Sequence, residues 1–260
     1  MPALKLGISL AALRLPFKKA LPWLAELSVD AVELDARTNF PPKQFGSSAI
    51  RELRKHLDDH RLRAGLVSFP TRRGFTTEHE LEARLAGVRA AMKFAHDVGA
   101  RFLTMTIGLI PDDEVSPAWT LLTQVLTDLG RDSQRIGTLL CAQTGAQPAE
   151  SLARLIAALP PGTLGADLCP GLLLTNGHAP SAAVEALGTN IYTVHAQDGV
   201  QGFGQSRGHL CDLGQGAADW PKLLGLLQER DFRGDFILDQ TPSGDPEWEL
   251  EKGLRYLRGL

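Results

Sequence analysis

Short apolar stretches alternate with amphipathic stretches along the whole chain. The β-prone runs are Leu4–Ser9, Ala31–Asp35, Leu62–Phe69, Arg101–Ile107, Gly137–Gln143, Thr163–Leu168, Ile191–Ala196 and Asp235–Asp239. Each is a short run of the kind that serves as a strand in the βα repeats of a parallel sheet. Between them lie helical patterns. The clearest carries Leu81, Leu85, Val88, Met92 and Ala95 at spacings of four and three, and Gly99 stops it. Others fall at 13–27, around Ile50, Leu53 and Leu57 with Ser47 and Ser48 as caps, at 118–135 behind Ser116-Pro117, at 148–159, at 180–187, around Trp220, Leu223, Leu224 and Leu227, and at 248–257. Pro22 sits badly within the first helix and predicts a break or a late start there.

Eight strand–helix units, each about 30 residues long, predict an α/β fold. Their number makes it a single (β/α)8 TIM barrel over residues 1–260. An open doubly wound sheet is the runner-up, but Ser9-Leu10-Ala11-Ala12-Leu13 offers no glycine for its phosphate loop.

Composition changes this picture little. The chain has 260 residues, 43% hydrophobic and 22% charged, with a net charge of −3. That argues against a nucleic-acid partner. Cys141, Cys169 and Cys211 form no metal-ligand or redox spacing, and so few thiols suit a reducing compartment. No apolar run reaches the ~20 residues needed to cross a bilayer. The N-terminus reads as a strand and not as a signal peptide, so a soluble cytoplasmic protein without a membrane partner is expected.

A barrel assembles its chemistry at the C-terminal strand ends. There the sequence places Glu33 and Asp35, Ser68, Thr104 and Thr106, Gln143 and Thr144, Asp167, His195 and Asp198, and Asp239 and Gln240. Asp167, His195 and Asp239 come from consecutive strands, close enough to converge on one divalent ion (Mn, Mg, Co or Zn), with Gln143 as a neutral fourth donor. The bland alternative, polar side chains that only cap the barrel mouth, is weaker for the three together than for each alone. Cys141 reads as core, whereas Cys169 lies near the mouth.

The order of these motifs resembles the xylose isomerase-like TIM-barrel family, the sugar-phosphate isomerases and epimerases related to endonuclease IV. It rests on His195-Ala196-Gln197-Asp198 as the H-x-x-D motif, on Gly214-Gln215-Gly216 before Asp219-Trp220, on Gly234 five residues ahead of Asp239, and on Phe94-Ala95-His96-Asp97-Val98-Gly99-Ala100. The resemblance implies a divalent ion held by Glu, Asp, His and Glu, with the two glutamates moving protons on a sugar carbon. This chain departs from the pattern. Gln143 stands at the first glutamate, Asp239 at the second, and Pro170 where His or Asn often follows the strand-six aspartate. Glutamine ligates through oxygen but takes no proton at neutral pH.

Three expectations follow. The first is a metal-dependent isomerase or epimerase of a small sugar, sugar phosphate or polyol. Asp239 is its base, His195 and Gln143 assist, and Asp198 orients His195. Arg72, Arg73 and Arg207 in the mouth loops, with Glu33 and Gln240, are its substrate-binding candidates, though loop arginines are as readily solvated. The second is a sugar-binding barrel without turnover. The third, a three-zinc nuclease, is disfavoured, because His56, His60, His79 and His96 lie on helices and only His195 is well placed. The resemblance also implies pairing into a homo-oligomer, with Trp119 and Trp248 open to interface or core roles.

Overall fold

The structure, a computed structural model, describes residues 4–202, 208–239 and 244–260. Ten strands are present among them: β1 (Leu6–Ser9), β2 (Ala31–Asp35), β3 (Arg63–Ser68), β4 (Phe102–Met105), β5 (Leu139–Gln143), β6 (Gly165–Leu168), β7 (Ile191–His195), β8 (Asp198–Val200), β9 (His209–Cys211) and β10 (Phe236–Leu238). Eight of them close a parallel barrel in the order β1-β10-β7-β6-β5-β4-β3-β2. The expected (β/α)8 barrel is therefore the fold. Its strands are buried almost throughout, as their apolar runs require.

The helices are α1 (Phe17–Glu26), α2 (Ser47–Asp59), α3 (Leu81–Val98), α4 (Pro117–Ile136), α5 (Ala149–Ala158), α6 (Pro170–Thr175), α7 (Pro180–Leu187), α8 (Trp220–Glu229) and α9 (Pro246–Arg258). Each packs one apolar stripe onto the barrel, as Leu85, Val88, Met92 and Ala95 do in α3. Several ends are set by their own sequence. Ser116, Asp219 and Asp245 each accept a backbone N–H three residues on. Gly99 and Gly137 close α3 and α4 with φ of +89° and +90°. Helix α1 starts late, at Phe17, and runs through Pro22, whose missing N–H forfeits one turn bond. Ser47 and Ser48 lie inside α2 and do not cap it; Gly46 takes the cap position without a side-chain bond. No helix among the described residues is long and apolar enough to cross a membrane.

Two features break the regular alternation. Helix α6 begins at Pro170, whose fixed φ suits a first helical turn, so the departure read in the sequence is also a helix start. Strands β8 and β9 form an antiparallel hairpin inserted between β7 and α8. Asp198 is in this hairpin and is 1% exposed. Its Oδ1 accepts the N–H groups of Gly199 and Ala218 at 2.8 and 3.0 Å, and its Oδ2 accepts that of Gly214 at 3.0 Å. Asp198 therefore pins the loop back to α8; the sequence led us to expect that it orients His195, and its carboxylate is instead taken up by these three N–H groups.

Two register shifts matter for the mouth. One falls between Val32 and Glu33 on β2, the other between Ala166 and Asp167 on β6. The extra residue lies on the partner strand in each case, Gly65 on β3 and Tyr192 on β7, and the residues just past the two shifts are Glu33 and Asp167, which both meet His195.

Candidate active site

His195 ends β7 and is 1% exposed. Its Nδ1 lies 2.8 Å from one oxygen of Asp167 and 2.9 Å from the other. Its Nε2 lies 2.8 Å from Glu33 Oε2 and 3.9 Å from Asp239 Oδ2. Asp167 also accepts the Thr104 hydroxyl at 2.6 Å. Glu33 also accepts the hydroxyls of Ser9 and Ser68. Six barrel strands thus feed one hydrogen-bonded chain across the mouth.

Charge follows from these contacts. Burial opposes an imidazolium, but the carboxylates of Asp167, Glu33 and Asp239 outweigh it and hold the His195 pKa well above its ordinary value. His195 is therefore a cation that donates both N–H groups. Burial likewise pushes Glu33 up, yet the charge and hydrogen bond of His195 and the two serines bring it below the usual carboxylate range. Asp239 has less relief. Burial pushes it up to about 7; the His195 charge opposes this, and the Glu33 charge adds to it. Gln197 steadies this carboxyl, its Nε2 lying 2.7 and 2.8 Å from the two oxygens.

A cavity of about 310 Å³ opens above this chain. Ser9, Glu33, Asp35, Ser68, Thr104, Gln143, His195 and Asp239 line it, with Ala11, Ala12 and Pro70. The structure thus brings together Gln143, His195, Asp239 and Glu33, all expected from the sequence. Asp167 lies beneath, fully buried, with Gln143 its register partner on β5. Arg72 is exposed and does not line the cavity. Arg73 is exposed and contacts His79 Nδ1 at 2.9 Å. Arg207 and Gln240 lie outside the described residues. Ser9 and Gln197 escaped sequence reasoning. Their only signals were a strand end and a place inside the H-x-x-D motif.

The four donors expected for a divalent ion are not arranged around one point. Asp167 faces one nitrogen of the ring and Asp239 the other, and both nitrogens carry hydrogen bonds. Gln143 brings no charge. As placed, this set does not fit an ion, and we derive no step through one. Among the described residues, the tighter grouping is Asp167, Cys169 and His195, whose ligand atoms lie within 4.8 Å of one another. Cys169 is fully buried, and its thiol is pushed up to about 12, by burial first and by the Asp167 charge next. Without a metal it is no nucleophile. Cys141 is buried core, as expected.

Comparison with known proteins agrees with this architecture. The sequence pattern of the xylose isomerase-like TIM barrel matches residues 21–260. A xylose isomerase domain protein from Planctomyces limnophilus superposes with a TM-score of 0.87 at 21% identity, covering 99% of this chain and 97% of its own. A xylose isomerase-like TIM-barrel protein from Mycobacterium smegmatis, solved in complex with magnesium, gives 0.80 at 15% identity, covering 99% and 96%. A D-psicose 3-epimerase solved in the presence of D-fructose gives 0.77 at 13% identity, covering 98% and 99%. Among curated proteins, none matches the sequence. With its sequence pattern matched from residue 21 to the end and its barrel closed as expected, the chain belongs to the xylose isomerase-like TIM-barrel family.

Proposed function

We propose that this protein is an isomerase or epimerase of a small sugar or polyol, in which Asp239 moves the proton. The observation that carries this reading is the placement of Asp239. It lines the cavity beside His195, its side chain is 24% exposed, and its pKa is pushed up to about 7. A base with a pKa near the working pH is ionised often enough to accept a proton and is strong enough to take one from carbon. The fold likeness to a D-psicose 3-epimerase supports the choice of substrate class.

The steps that fall to this chain are few. Substrate hydroxyls replace water on Ser9, Ser68, Thr104 and Gln143. The Asp239 carboxylate takes the proton from the carbon beside the sugar carbonyl. Gln197 holds that carboxylate in one orientation throughout, which lowers the cost of alignment. Gln143 donates an amide N–H to the carbonyl oxygen and carries no proton itself. When the same carboxyl returns the proton to the neighbouring carbon, and the hydroxyl proton passes between the two enediol oxygens, one base completes an isomerisation; an epimerisation needs water to deliver the proton to the opposite face.

A divalent ion is the second reading, favoured by the Asp167–Cys169–His195 spacing and by the magnesium complex of the M. smegmatis relative. It requires His195 to give up the proton on the ligating nitrogen. Metal analysis of protein purified without chelator separates the two readings. One ion per chain, lost together with activity on chelation, would replace the first reading with the second. The proposed activity itself is tested by incubating the protein with free ketoses and resolving the products by chromatography. Conversion of at least one ketose is expected; sugar binding with no conversion across the panel would make this a binding barrel.

A further inference from the structure

We propose that the base of the barrel holds a second binding site, for a phosphate group, free or carried on a small ester. This site lies at the opposite end from His195 and stands whether or not the mouth takes a sugar.

A cavity of about 330 Å³ opens at the N-terminal end, as roomy as the one at the mouth. Small-molecule pockets run from about 300 to 1,000 Å³. Five adjacent strands, β10, β1, β2, β3 and β4, supply its lining from residues at or just before their first positions.

Cations outnumber anions in that lining. Lys5, Arg63, Arg101 and Arg233 stand against Asp30 and Asp235. Arg63 takes up the carboxylates: it forms the two-pronged pair with Asp235, and the Asp30 charge acts on it as well. Gly65 leaves room for this pair, since a Cβ there would lie 2.7 Å from Asp235 Oδ2.

The other three cations have no comparable partner. Arg101 meets no carboxylate among the described residues, and its guanidinium lies 5.3 Å over the ring of Phe102, which also lines the cavity. Lys5 Nζ donates to the Arg233 carbonyl oxygen at 3.1 Å, a neutral acceptor. Arg233 reaches Asp231 at 3.0 Å, but both side chains are more than half exposed, and a pair of that kind is weak.

Three cations around one cavity suit a dianion. A guanidinium fork matches two phosphate oxygens at once, and an ammonium adds a compact, mobile donor for another. A lone carboxylate would fill one fork and leave the other cations unmatched. The Phe102 ring, 5.8 Å from that of Tyr192, offers an apolar wall to the carbon part of an ester.

The test is calorimetric titration of the purified protein with inorganic phosphate, glycerol 3-phosphate and succinate. Both phosphates should bind, less tightly as salt rises, and succinate should bind at least tenfold more weakly than either. The tighter of the two phosphates shows whether the site takes the free ion or the ester. Arg101→Ala and Lys5→Ala should each weaken phosphate binding about tenfold, and Arg101→Lys should recover part of the loss, with circular dichroism confirming that each variant folds. Asp239→Asn, at the far end of the barrel, should leave phosphate affinity as it is. Failure of both phosphates to bind at millimolar concentration overturns the proposal, as does succinate binding equally well. An affinity that ignores Arg101→Ala and Lys5→Ala but changes with Asp239→Asn places the ion at the mouth and overturns it too.

Discussion

Asp239 is the residue on which the functional account turns. Its folded pKa of about 7 lies above the ~3.9 of a free aspartate. The folded state therefore binds the extra proton between those values, and the stability it lends is present at low pH and lost as pH rises through about 7. Asp239→Asn should gain clearly more thermal stability over wild type at pH 8 than at pH 5, read from melting curves at both. Any sugar conversion should rise with pH through the same region, since only the ionised carboxylate accepts a proton. At Glu33 the sign reverses. Its carboxylate is held below the ordinary range by His195, so Glu33→Gln should cost about 1–3 kcal/mol near neutral pH in chemical denaturation, with the loss fading in acid. Sequence reasoning placed both residues at the mouth but paired His195 with Asp198, its neighbour in the chain. Its true partners are 28 and 162 residues away. Such pairings depend on how the barrel closes and sets β2 across from β7, and residue pattern along the chain carries no trace of that.

At the scale of elements, the inserted hairpin explains what Asp198 does. Its carboxylate satisfies three backbone N–H groups, and the Gly216 backbone packs so closely that a Cβ there would strike it. Asp198→Ala should therefore cost about 1–3 kcal/mol, read by denaturation, because buried N–H groups lose their acceptor. The hydrogen bonds of His195, followed by their low-field proton resonances, should stay unchanged. An orienting role would predict the opposite pattern. The main strands were legible because each is a short apolar run, and α3 because its stripe repeats cleanly. The hairpin was not, since three-residue strands such as Asp198–Val200 contain too few positions to show alternation. Helix α6 was hidden for a similar reason: its one signal, Pro170, reads equally as a loop residue.

Across the whole molecule, the two ends of the barrel divide the work. The C-terminal end gathers the carboxylates and His195. At the N-terminal end, Arg63 on β3 reaches Asp235, just before β10, and Nη1 lies 2.9 Å from Oδ2 in a two-pronged pair. Strands β1 and β2 lie between them, so the pair braces the barrel across its base. Asp235 is 6% exposed, and Arg63→Ala would leave it without its cation. The expected cost is about 1–3 kcal/mol in denaturation, with sugar binding unchanged. Trp119 is 7% exposed and belongs to the core, whereas Trp248 is 52% exposed. The account's central claim, proton transfer by Asp239, is tested most directly by proton NMR of free ketoses in deuterated buffer. The account predicts that wild-type protein exchanges a carbon-bound proton beside the carbonyl for deuterium, and that Asp239→Asn binds the same sugar without exchanging it. Exchange at an equal rate in the variant, or none in wild type with any ketose it binds, would contradict it.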